Sequence, residues 1–151
     1  MKDAPKDWPR ISSAIFYNDA ARAIDWLCAA FGFEVRLKIE GADGRIEHSE
    51  LTYGDGLIMV GQVRGAERPG KAWCASPALL DGRATQALCV FVDDADAHAA
   101  HARAAGASIV AEPTTNDYGD DYWADRTYEA LDLEEHHWWF MQRVRDQGEK
   151  R

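Results

Sequence analysis

The chain has 151 residues, 46 % hydrophobic and 28 % charged, enough for one compact domain or two half-size modules sharing a core, and too apolar for a disordered polymer. A formal net charge of −9 argues against a nucleic-acid surface, which needs clustered Lys and Arg, and suits a neutral or cationic small molecule. The longest aliphatic run, Leu57 to Val60, is far too short to span a membrane, and no apolar leader opens the chain. Three cysteines without CxxC spacing read as reduced thiols in a cytoplasmic protein, with Cys28 and Cys89 as core residues.

Residues 11–17 alternate as a first strand, and Asn18-Asp19 then caps a helix over Ala20–Phe31. Ile24, Leu27, Cys28 and Phe31 recur at helical spacing, and Gly32 stops the helix at C′. Residues 33–39 continue as a strand, and residues 45–53 and 57–63 form a hairpin around Gly54-Asp55-Gly56. The order is βαβββ. After a connector over 64–86, rich in Gly and Pro, the pattern restarts: a strand over 87–92, an Asp93-Asp94 cap, an alanine-rich helix over 95–105, Gly106, and a strand from Ser108 to Ala111. Ile15-Phe16-Tyr17-Asn18-Asp19-Ala20 matches Val90-Phe91-Val92-Asp93-Asp94-Ala95, the mark of a duplicated unit.

The second module closes on residues 126–140, a strand, a polar turn at Asp132 to Glu135, and the aromatic strand His137-Trp138-Trp139-Phe140. Alternation sends Trp138 and Phe140 to one face and His137, Trp139 and Met141 to the other. The division is thus α+β: a first module over 10–63, the connector over 64–86, a second module over 87–142 and a polar tail over 143–151.

Three stretches in this order resemble the vicinal oxygen chelate superfamily of glyoxalases, bleomycin resistance proteins and extradiol dioxygenases. They are Asp19 to Leu27 followed by Phe31-Gly32-Phe33, then Val92 to Asp96 followed by Ala104 to Ala107, and finally Asp132 to Phe140. The glyoxalase-like, bleomycin-resistance-type subgroup is the nearest in pattern. The resemblance implies curved mixed sheets around a shared ligand cavity, helices outside, and a homodimer. It also implies a divalent metal held by four side chains, two from each module. Carried onto this sequence, three slots fall on Ser12, Ala87 and Trp139, and the fourth lies within 57–62, where only Gln62 could ligate. Alanine and tryptophan cannot bind metal, so no cofactor is expected unless the ligands are displaced.

Strand parity then places Phe16, Cys89, Phe91, His137 and Trp139 in the cavity. His48 and Glu50 share a strand face; as a cavity pair they could do acid–base chemistry, and as a surface pair they would be solvated. His98 and His101 on the second helix read as solvated, and His136 as a turn residue bonded to backbone. Glu135 stands where the resembled family has glycine. Residues 116–123 form a loop in which Tyr118 and Trp123 stand among acids, suited to a planar or cationic ligand or to a dimer contact. Two functions remain open: a metal-free protein that binds a small molecule through Phe16, His48, Glu50, Phe91, His137, Trp139, Tyr118 and Trp123, or an enzyme of the same superfamily using displaced metal ligands or the His48–Glu50 pair. A regulatory, partner-binding domain is a third.

Overall fold

A computed structural model describes residues 1–150. The first module runs β1 (Ser13–Tyr17), α1 (Ala20–Phe31), β2 (Glu34–Glu40), β3 (Ile46–Tyr53) and β4 (Gly56–Gln62). The second repeats it as β5 (Leu88–Phe91), α2 (Ala95–Ala104), β6 (Ser108–Asp117), β7 (Ala124–Leu131) and β8 (His137–Arg145). The sheets are ordered β1-β4-β3-β2 and β5-β8-β7-β6. The pairings β1/β4 and β5/β8 are parallel and all others antiparallel. Among the described residues no helix is long and apolar enough to cross a membrane.

The helices begin and end where short-range chemistry puts them. The Asp19 carboxylate accepts from the Arg22 N–H and the Asp94 carboxylate from the Ala97 N–H, and Gly32 takes the left-handed C-cap conformation. A second duplicated cap comes from the sheets: Gln62 Oε1 accepts from Ala20 N at 3.2 Å, and Gln142 Oε1 from Ala95 N at 3.0 Å. Gln62 ends β4 and Gln142 lies within β8, each on an inner strand of its sheet, and each satisfies an N–H that the helix itself leaves unpaired.

Each helix covers one face of its own sheet and leaves a polar edge, Arg22 and Asp25 or Asp96 and Arg103, in solvent. The two covered faces meet in one core. Phe31, at the end of α1, packs its ring 5.3 Å from Trp138 and 4.8 Å from Phe140 of the other module. Small residues on α2 (Ala95, Ala99 and Ala102, all buried) let the helices approach. His98 was expected in solvent and is instead built into this junction. Its Nε2 faces the Phe31 carbonyl at 3.0 Å and must carry the proton, so Nδ1 accepts from the Tyr128 hydroxyl at 2.5 Å. Burial holds its pKa below the ordinary histidine value, against the opposing pull of the Phe31 carbonyl. His101 remains exposed, its Nε2 donating to the Ala29 carbonyl at 2.7 Å.

The polar turn between β7 and β8 clamps the modules. Asp132 accepts from the Tyr17 hydroxyl at 2.6 Å and the Trp138 indole at 3.0 Å, and Glu134 accepts from the Asn18 and Asp19 N–H groups at 2.7 and 3.0 Å. Burial, then the Asp132 charge, raises the Tyr17 pKa far above the usual phenol value. His136 bonds backbone as expected, donating to the Phe16 carbonyl at 2.8 Å.

Three expectations about the chain are corrected. β6 extends to Asp117 rather than stopping at Ala111, and β8 runs to Arg145, into the segment read as a polar tail. Cys89 is exposed and Cys28 half-buried, while Cys74 is the buried cysteine.

Candidate functional site

The helix-free face of the first sheet is an apolar floor with one charged group set into it. Ala14, Phe16, Met59 and Gly61 lie side by side across β1 and β4, and Glu50 on β3 is in register with both Met59 and Leu37. Leu37 and Ile39 on β2 stay exposed. Glu50 is only 8 % exposed, and a buried carboxyl group needs polar partners. It accepts from His48 Nε2 at 2.9 Å and faces Arg36 Nε at 3.5 Å. Because a carboxylate only accepts, His48 Nε2 is the donor of this bond.

The helix-free face of the second sheet carries Cys89 and Phe91 on β5, His137, Trp139 and Met141 on β8, and Glu129 on β7. Trp139 is 41 % exposed while Trp138, one residue earlier, is fully buried. Glu129 is in register with Trp139 and accepts from His137 Nε2 at 2.6 Å. Overlaying the modules on Phe16/Gly61 and Phe91/Met141 makes Met59 the counterpart of Trp139 and Glu50 the counterpart of Glu129. Both sheets therefore hold a histidine-bound glutamate at the same place. At the far end of this face Arg143 pairs with Asp125 at 2.6 Å and lies 5.5 Å from the Phe91 ring centre and 5.3 Å from that of Trp123. The aromatic-and-acid arrangement read as suited to an external cation is thus filled by the protein's own guanidinium. Tyr118 packs on Trp123 with centroids 6.0 Å apart.

A sequence model of the Glyoxalase/Bleomycin resistance protein/Dioxygenase superfamily matches residues 10–146. The chain belongs to this superfamily. The uncharacterized protein Mb0911c of Mycobacterium bovis is 30 % identical over 138 residues, covering 91 % of this chain and 86 % of that protein. The crystal structure of TioX from Micromonospora sp. ML1 is 32 % identical, with a TM-score of 0.68 over 91 % of this chain and 100 % of that one. TnmS3, an antibiotic binding protein from Streptomyces sp. CB03234, shares the fold at 17 % identity, with a TM-score of 0.60 over 88 % of this chain and 93 % of its own.

The superfamily's metal does not fit the donors present here. The slots that the resemblance implies are Ser12, Ala87 and Trp139, and the strand register makes Met59 the counterpart of Trp139 in the first module. Gln62, the one candidate ligand seen within 57–62, has its carbonyl committed to the α1 cap and its amide to the Asn18 carbonyl. A hydroxyl, a thioether, a methyl and an indole do not make a site for a hard divalent cation. Among the described residues no three His, Cys, Asp or Glu side chains converge as a metal site would require.

The eight residues singled out from sequence fall into three places. Phe16, His48 and Glu50 share the first open face; Phe91, His137 and Trp139 share the second; Tyr118 and Trp123 cap the end of the second beside Arg143. A groove of about 410 Å³ between the modules takes in Phe91 with Ser12, Tyr53 and Leu57, and none of the other seven. The set thus lies on two separate sheet faces rather than around this groove. Sequence reading missed Glu129, Met59, Gly61 and Arg143. Glu129 could have been found by extending the residues 126–140 hairpin one pair at a time, which sets it opposite Trp139.

Proposed function

We propose that this chain is a metal-free binding protein for a flat organic molecule, held on the open face of the second sheet with Trp139 as the stacking surface. The observation that carries the reading is the pair of adjacent tryptophans: Trp138 is sealed in the core, while Trp139 presents an exposed indole where the superfamily pattern would have a metal-binding carboxylate. An indole offers a broad π face and a single N–H donor, so it recognises a planar partner by stacking and cannot hold a cation by coordination. Beside it, His137 is held by Glu129 through Nε2, which leaves its other ring nitrogen, Nδ1, to hydrogen-bond a ligand. The likeness to an antibiotic binding protein carries the fold and makes planar antibiotics one class to test. In the same reading a second copy of the chain covers the exposed Leu37, Ile39 and Phe91, giving a homodimer, and the three free cysteines suit a reducing cytoplasm.

The test starts with a thermal-shift screen of planar heteroaromatics in the presence of a chelator, since a ligand that binds only the folded state raises its midpoint. Trp139→Ala is then expected to change stability by no more than about 0.5 kcal/mol, as for surface positions, and to weaken the selected ligand at least tenfold. A large loss of stability with unchanged affinity would make Trp139 a packing residue and remove the site.

A second reading, proton-transfer catalysis, is favoured by the matched placement of Glu50 and Glu129, each bonded to a histidine on an apolar face. It expects an activity that survives the chelator and is lost in Glu129→Gln or Glu50→Gln.

A further inference from the structure

Phe16 divides two spaces on the first module. Its ring lies flat on β4 because residue 61 is glycine: a Cβ there would come within 2.7 Å of the ring carbon Cε1. Trp73, from the connector, stands edge-on to it, with centroids 5.4 Å apart at 80°. The indole N–H donates to the Gly70 carbonyl at 3.2 Å, which orients a side chain that is otherwise 71 % exposed. On the β3 side the ring closes a pocket of about 170 Å³ with His48, Met59 and Arg64. On the connector side it walls a space of about 220 Å³ with Trp73, Pro77, Leu80, Arg83 and His136. That is below the ~300–1,000 Å³ of a site for a whole drug-sized ligand and is room for one planar group.

The lining of the connector-side space holds Arg83 and no carboxylate, against the chain's net −9. Arg64 and Arg68 are neutralised by Asp43 and Glu47. Among the described residues no carboxylate lies within 4.0 Å of Arg83; its Nε donates to the Leu80 carbonyl at 3.2 Å, which leaves both terminal amino groups for a ligand. A guanidinium fork takes a carboxylate through two parallel hydrogen bonds.

We propose that the space beneath the connector is a binding subsite for a planar aromatic carboxylate, with the ring in the space walled by Phe16 and Trp73 and the carboxylate on Arg83. This goes beyond the Trp139 site, since Phe16, Trp73 and Arg83 belong to the other module and to the connector. The test is calorimetric titration of the full chain with 2-naphthoate, using uncharged 2-naphthamide as the control. Wild type is expected to bind the carboxylate at least tenfold more tightly than the amide. Arg83→Gln is expected to erase that preference, Trp73→Ala to weaken both compounds about tenfold, and Trp139→Ala to change neither. Arg83 and Trp73 are both exposed, so unfolding midpoints should hold; were Trp73→Ala to unfold, Arg83→Gln carries the decision. Equal affinity for the two compounds, no naphthoate binding, or a loss in Trp139→Ala in place of Trp73→Ala would overturn the subsite, the last while leaving the Trp139 site standing.

Discussion

Trp138 and Trp139 are neighbours of identical chemistry with opposite surroundings, because a strand sends consecutive side chains to opposite faces. Trp138 stacks in the shared core and donates to Asp132, so Trp138→Ala is expected to cost about 3–5 kcal/mol, read as a fall in the denaturant midpoint at constant slope. The contrast with Trp139→Ala, which should cost little, checks the sheet register directly. Glu135 supplies a second residue-scale test. It holds φ at +68°, a left-handed conformation that costs a residue with a Cβ roughly 1–2 kcal/mol. Its carboxylate lies against Gly82 with no hydrogen bond or ion pair among the described residues, so Glu135→Gly should stabilise the chain by about 1 kcal/mol. Unchanged or lower stability would mean that the side chain does more in the turn than its contacts indicate.

Local rules made the elements legible wherever the signal is short-range. The Asp19 cap and the Gly32 stop delimit α1 at the residues expected, because each acts within one helical turn. The end of β6 was not legible. Pro113 breaks the strand pattern there, and only the position of β6 at the sheet edge, next to an irregularity between Ala111 and Thr114, lets a proline sit inside it. The candidate site divides the same way. His48 and Glu50 are two apart on one strand, so parity alone pairs them, whereas Glu129 and His137 meet across two strands and need the register. The twin glutamine caps are hidden for the same reason, since Gln62 lies far in sequence from the Ala20 N–H it satisfies. Gln142→Leu should therefore loosen α2, seen as faster amide exchange over Ala95 and Asp96, with a cost of about 1 kcal/mol for the lost hydrogen bond.

Across the whole molecule, His98 ties one module to the other. Its folded pKa lies below the ordinary value of 6.5, so the unfolded chain takes up the proton first. The stability it contributes is complete above about pH 6.5 and declines as pH falls through that value toward the folded pKa. His98→Gln should flatten this part of the melting-temperature profile between about pH 7.5 and pH 5; an unchanged slope would remove His98 as its origin. Mass by light scattering tests the assembly, and about twice the 16.9 kDa of one chain is expected for the homodimer. The most direct measurement of ligand binding follows the six tryptophan indole N–H signals by ¹⁵N–¹H correlation spectroscopy during titration with a thermal-shift hit in the presence of chelator. The Trp139 signal is expected to move with ligand concentration while that of Trp138, bonded to Asp132, stays in place. A fixed Trp139 signal, or one that moves only after a divalent metal is added, would contradict metal-free stacking on the second sheet.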